Sequence, residues 1–255
     1  MHEDSDEFAN FLYKDSVGDN YKRNYLDSYD SRVNDIYAPK VHFLLEAIHP
    51  LRQKNSALSV LDVGCGGGHF ICACEHVSIK ARGVEPNQAL VELAAEKVGA
   101  GKVVKCDLDD ISKIIRDSGD DVVALIGVLE HLQKPREVIK AFVESDVKYL
   151  YLQVPLFSLS VLLEHANQEI FPRQLNAGHT HLYTKESLDH LFEEFGLQIL
   201  AEWWFGTDFV DLFRQLIVKS DYINHEKGSE LLKRYFGSFI DDFQAVLDRD
   251  KKCSG

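Results

Sequence analysis

The sequence predicts an α/β fold: a mostly parallel central sheet with helices on both faces. Three observations predict it. Short apolar runs alternate with helical patterns from residue 58 to residue 154, the period of strand–helix units in a parallel sheet. The run Leu58 to Val63 leads into Gly64-Cys65-Gly66-Gly67-Gly68 and then a helical pattern, the junction at which nucleotide sites form in open α/β sheets. The run Val122 to Ile126 is apolar at every position, as in a strand covered on both faces.

In chain order, residues 1–20 are polar with scattered aromatics, and residues 21–36 are rich in Tyr, Asn and Asp. Tyr21, Tyr25 and Tyr29 recur every four residues, which places them along one helix face, with Tyr37 further on. Val41, Leu44, Leu45 and Ile48 have helical spacing and predict a helix from Ala38 that stops near Pro50. After the first strand the patterns predict a helix over 69–76, a strand over 80–84 and a helix over 88–98 stopped by Gly99. A strand over 102–106 and a short helix over 111–116 follow. The fourth strand covers 122–126. Pro135 opens a helix to Glu144, because proline suits the first turn. Tyr149 to Val154 is the fifth strand. Residues 156–183 lack steady periodicity, and so long an irregular stretch is often functional. Thr184 caps a helix stopped by Gly196, with little added by Ser187. Gln198 to Phe205 reads as a strand, and helical patterns run through the remainder. The expected organisation is an N-terminal helical lid over 1–55, an α/β core over 56–206 with a substrate-side insertion at 156–183, and a helical extension over 207–255.

The glycine turn admits two ligand chemistries. In a dinucleotide turn, G-x-G-x-x-G, the third glycine lets helix and strand pack closely and a helix N-terminus holds the pyrophosphate. Here His69 stands at the third-glycine position, and Asp62 lies two residues before Gly64. A ligand with an ammonium group and no phosphate would use that Asp, and S-adenosylmethionine (SAM) is such a ligand. The stretch Val60-Leu61-Asp62-Val63-Gly64-Cys65-Gly66 resembles the first motif of class I SAM-dependent methyltransferases, hydrophobic-D-x-G-x-G. Glu85, before Pro86 at the end of the second strand and 23 positions after Asp62, stands where a carboxylate accepts from ribose hydroxyls.

The resemblance covers about residues 38–205 and implies a Rossmann-like fold. It also implies transfer of a methyl group from SAM, leaving S-adenosylhomocysteine. It assigns Asp107 to the adenine amino group and Leu108 to a ring nitrogen through its backbone. Ile126, Gly127 and Val128 fall beside the methionyl part of SAM, and Asp62, Gly64, Cys65, Gly66, Glu85 and Pro86 complete the cofactor set. Leu129-Glu130-His131 resembles a subgroup that includes ubiquinone-biosynthesis O-methyltransferases. Some of its members hold a divalent metal through E-x-x-E-H and a downstream His. Gly127 replaces the first Glu here, so no metal is expected, although Glu130, His131 and His181 remain as ligand types. A neutral His131 suits a general base on a substrate hydroxyl, because imidazole titrates near working pH; the alternative is that Glu130 and His131 only cap and pack the next helix. His179, His181 and Tyr183 are candidates to face the acceptor; loop histidines bonded to backbone are the alternative. Arg173, with Arg23 or Arg32, is suited to clamp a phosphate or carboxylate. The family closes its sheet with two further strands, but a helical pattern follows Gly206-Thr207-Asp208, so the last strand is expected to be short, displaced or absent. Trp203-Trp204-Phe205 and the later helices look like bacterial methyltransferases of surface-polysaccharide pathways.

Composition narrows the partners. With a formal charge of −13 over 255 residues, a broad cationic footprint for nucleic acid or an anionic membrane is not expected. No apolar run approaches the roughly 18 residues of a membrane span. The acidic N-terminus lacks the regions of a signal peptide, and a cytoplasmic protein is expected. The five cysteines form no C-x-x-C pair and read as buried thiols. The activity expected is methylation of a hydroxyl on a sugar, sugar nucleotide or related metabolite by a monomer or homodimer. The alternatives are N-methylation, an RNA or protein methyltransferase, and a non-catalytic SAM-binding protein.

Overall fold

The structure, a computed structural model, describes residues 26, 28–51, 57–167, 178–222 and 226–255. Tyr21, Arg23, Tyr25 and Arg173, with all of residues 1–25 and 168–177, lie outside the described residues.

The elements alternate as the patterns predict. They are α1 (Tyr29–Arg32), a π-helical turn (Val33–Tyr37), α2 (Ala38–Ile48), β1 (Ser59–Val63), α3 (His69–His76), β2 (Lys80–Glu85), α4 (Gln88–Val98) and β3 (Val103–Lys105). Then come α5 (Ile111–Arg116), β4 (Val122–Ile126), α6 (Pro135–Val143), β5 (Tyr149–Gln153), α7 (Leu159–Ala166) and α8 (Lys185–Glu194). The last three are α9 (Asp208–Tyr222), α10 (Glu226–Phe236) and α11 (Ile240–Arg249). All five strands are parallel, in the order β3-β2-β1-β4-β5. The order reverses direction at β1, so the crevice at the carboxyl ends of β1 and β4 is the topological switch point.

The chain forms two compact units. The first holds the described residues through Gln153 together with Leu191–Ala201; the second holds Val154–His190 and Glu202–Gly255. In the first unit the core is built from strand residues buried on both faces, among them Val60, Leu61, Val122 and Leu125, and from Ile71, Leu93 and Ile139 on the covering helices. At the amino ends of the strands Asp121 holds three of them together. Its carboxylate accepts from the Ser59 backbone and hydroxyl, each at 3.1 Å, and pairs with Lys148 Nζ at 2.7 Å.

The second unit departs from expectation in three ways. Residues 159–166 form a helix, capped by the Ser158 hydroxyl, inside the stretch read as irregular. Ser187 does matter to the α8 cap: its hydroxyl accepts from the Thr184 backbone at 2.9 Å while Thr184 Oγ1 accepts from the Ser187 backbone at 3.2 Å. The strand expected over 198–205 does not form. Instead the end of the chain pairs with two separate segments: Leu156 donates to the Ser254 carbonyl at 2.9 Å, and Phe205 to the Gly255 carbonyl at 3.0 Å. Buried Asp208 fixes this arrangement, accepting from the Ser254 and Ser160 backbones at 2.8 and 2.9 Å. No strand follows β5 among the described residues. No helix among them is long and apolar enough to cross a membrane.

Candidate cofactor and methyl-transfer site

The glycine turn leaves β1 at Gly64, whose φ of +69° is the left-handed region open to glycine. Sterics enforce it as well: a Cβ there would lie 2.7 Å from Val128 Cγ2. The backbones of Gly64 and Cys65 both donate to the Val84 carbonyl, at 2.8 and 3.2 Å, which pins the turn to β2. Close approach to α4 occurs at Gly67, where a Cβ would lie 2.8 Å from Leu93 Cδ2. Position 69 is therefore relieved of the packing duty that a dinucleotide turn gives its third glycine.

His69 fills that position with a ring. It stacks on Tyr29 with centroids 4.2 Å apart and on Tyr37 at 5.4 Å, and the Tyr29 hydroxyl donates to the Gly67 carbonyl at 3.1 Å. The segment before the sheet thus lies directly on the glycine turn. Burial, with Arg32 and Lys97 nearby, pushes the His69 imidazole down to about 4 from an ordinary 6.5. Folding therefore holds this ring neutral. Between those values the unfolded chain binds a proton that the native chain does not, so stability falls as the pH drops from 6.5 to 4. His69→Phe keeps a stacked ring and is expected to flatten this dependence, read as denaturant midpoints at pH 7 and pH 4.5.

Two carboxylates converge on the turn. Asp62, paired across the sheet with Gly83 of β2 and Ala124 of β4, is buried. Burial, and secondarily the charge of Glu85, raises its pKa well above the ordinary carboxylate range. Glu85 is also buried; it accepts from the Gly66 backbone through Oε2 at 2.8 Å and from the Asn87 backbone through Oε1 at 2.9 Å. Burial raises it too, partly offset by those two bonds. Each oxygen retains a second lone pair for a hydroxyl donor. A site with two crowded carboxylates favours a cation, because an ammonium beside Asp62 relieves the repulsion. SAM fits these residues on that ground: Asp62 would take its ammonium and Glu85 its ribose hydroxyls. Pro86 and Cys65 are buried beside them.

At the end of β3, Asp107 is exposed and extended, and its side chain makes no cap bond to the turn that follows, while Leu108 is half-buried. At the end of β4, Ile126 and exposed Gly127 lead to buried Val128, which packs on Gly64. Leu129–His131 then form a single 3-10 turn. Its Glu130 carboxyl reaches back to Gly127, 3.6 Å from where a Cβ would stand, and burial pushes it up to about 7. Sequence reasoning gave Glu130 no proton-transfer role. Its signal was present, an acid inside an otherwise apolar strand end, but its burial was not visible. His131 is half-buried next to it.

His179 and His181 belong to the second unit, both half-buried. His181 Nδ1 shares a 2.8 Å hydrogen bond with Thr180 Oγ1, its ring stacks on Tyr183, and Tyr183 bridges to Leu156. Glu130 and His131 are ligand types for a divalent ion within the first unit; the further donors that the sequence offers lie in the second. The cysteines are free thiols, four of them buried and Cys72 half-buried.

A methyltransferase-domain family model matches residues 29–202. No curated protein matches the sequence significantly. Solved structures similar to this chain include a SAM-dependent methyltransferase from Archaeoglobus fulgidus, 23% identical, covering 66% of this chain and 72% of that one, TM-score 0.48. The magnesium protoporphyrin IX methyltransferase of Synechocystis, solved with S-adenosylhomocysteine, is 17% identical over 74% of this chain and 87% of its own, TM-score 0.49. An O-methyltransferase family protein from Burkholderia thailandensis is 18% identical over 65% and 53%, TM-score 0.43. The chain belongs to the methyltransferase-domain family and is a class I methyltransferase with SAM as its cofactor.

Proposed function

We propose that this enzyme methylates a hydroxyl of a small molecule, a sugar, sugar nucleotide or related metabolite. The turn Leu129–His131 carries the reading: it presents a buried carboxyl raised to about 7 and an adjacent imidazole at the end of β4. A hydroxyl needs a base as it attacks, and groups that titrate near neutrality supply one. SAM supplies an electrophilic methyl group and leaves as S-adenosylhomocysteine. The protein's part is to align the acceptor oxygen, exclude water and take the proton, which the reading gives to His131 Nδ1 or Nε2. Asp62, Glu85 and Asp107 hold the donor, with Leu108 and the backbone of Gly127 against it. His179 and His181 contribute from the acceptor side. A lid over 1–55, a core over 56–206 and a helical extension over 207–255 remain the proposed organisation. The enzyme works on small acceptors in the cytoplasm, as a monomer or homodimer and without nucleic acid.

The test begins with calorimetric titration of ligand-stripped protein by SAM and, separately, NAD(H). Micromolar binding of SAM and none of NAD(H) is expected. Hydroxylated and aminated metabolites are then screened with and without a divalent metal, and the methylated atom is located by NMR. A methyl group found on nitrogen would overturn the hydroxyl assignment.

A further inference from the structure

The last two helices, both in the second unit, carry an apolar row that the packing of their own chain leaves open. Among the described residues α10 and α11 each pack on α9. Gln244 fixes the rotation of α11: it is buried, accepts from the Phe209 backbone at 2.9 Å and donates to the Asp248 carboxylate at 2.8 Å. With Gln244 turned inward, Phe243 meets Phe209 at a ring-centroid distance of 5.2 Å yet stays 46% exposed, and Val246 is open beside it. Leu231 and Tyr235 are four apart, so they share one face of α10, and both are more than half exposed. Phe239, 50% exposed, ends the 3-10 turn Gly237–Phe239 between the two helices. An aromatic side chain has about 200 Å² of surface, so these three half-exposed rings leave roughly 300 Å² to water before the aliphatic groups are added. Patches of that order are often interaction sites.

Charges flank the row in a definite sense. Lys233 and Arg234, in the last turn of α10, are exposed cations, and Asp241 and Asp242, in the first turn of α11, are exposed carboxylates. None of the four forms an ion pair among the described residues. These signs suit the helix ends on which they stand. They also make the row complementary to itself. Turned end for end about Phe239, Leu231 falls opposite the partner's Val246 and Tyr235 opposite the partner's Phe243. Lys233 and Arg234 then fall within a turn of the partner's Asp241 and Asp242. A two-fold axis creates this relation, because each contact occurs twice.

We propose that the row is the two-fold interface of a homodimer, in which α10 of each copy packs against α11 of the other with Phe239 at the axis. An anionic membrane is a poorer occupant, because the formal charge is −13 and carboxylates line the row. The dimer does not depend on which acceptor the enzyme methylates.

Sedimentation equilibrium of the full chain across the micromolar range is expected to give the mass of two chains. Phe239→Asp sets two carboxylates against each other at the axis and is expected to give a monomer with an unchanged circular dichroism spectrum. Arg234→Glu and Asp242→Arg are each expected to raise the dimer dissociation constant about tenfold, because each reverses two symmetric contacts. The double variant exchanges the signs and is expected to restore the dimer, a rescue that a purely structural role would not produce. The charge variants carry the test if Phe239→Asp does not fold. A monomer at every concentration would overturn the proposal, as would a dimer indifferent to Phe239→Asp or charge variants without rescue. A monomer that cosediments with phosphatidylcholine vesicles would overturn it in favour of a membrane surface.

Discussion

Asp62→Ala is expected to weaken SAM binding by about 100-fold to 1,000-fold, because it removes the buried carboxylate that the proposed site sets against the ligand's ammonium. Two properties of the site make this loss large. The ligand's charge is the natural partner for a carboxylate whose own ionisation is opposed by burial and by Glu85. The place is also dry, so water does not replace the lost interaction. The fold itself should tolerate the change: removing an acid that repels Glu85 is expected to leave the melting temperature level or raise it. Asp62→Asn, which keeps the shape, should weaken SAM nearly as much. Calorimetry of both variants decides the matter, and undiminished affinity in a folded variant would sink the assignment. Because Asp62 titrates high, wild-type affinity should also rise with pH as the carboxyl ionises, and that rise should vanish in Asp62→Asn.

His131→Ala should act on the other half of the reaction. Turnover is expected to fall about 100-fold to 10,000-fold, the usual contribution of a positioned base, while SAM affinity stays within about twofold. The separation matters because His131 sits one residue beyond the carboxyl that returns to Gly127, so a merely structural change would disturb cofactor and acceptor together. Glu130→Gln offers a counter-test. If the carboxyl takes the proton, this variant loses the limb of the pH–rate profile near 7, where burial places Glu130. Unaltered turnover in His131→Ala would remove the imidazole from the chemistry.

The α/β core was legible in the sequence because its signals are local. Continuous apolar runs mark strands covered on both faces, and the Asp62–Gly66 spacing needs only the end of one strand to place its carboxylate. Glu85 was equally legible, since a strand of known length fixes where its last residue stands. Asp107 was placed at the end of its strand by the same local pattern, and the structure adds that its side chain makes no cap bond to the turn that follows.

Other features depended on contacts between distant segments, which no periodicity records. His69 was legible as a departure from the dinucleotide pattern, but its place between Tyr29 and Tyr37 required a helix from elsewhere in the chain. The expected strand over 198–205 failed because a strand persists only with a ladder partner. Here the backbone near Phe205 bonds instead to residues at the end of the chain. The sequence by itself determined the order of the elements, the parallel sheet and the places of Asp62 and Glu85 on their strands, all consequences of side-chain pattern within single elements. The tertiary structure alone decided the protonation of Glu130 and His69 and the fate of the last strand. Burial and partner choice are properties of the packed chain, set by residues far apart in sequence.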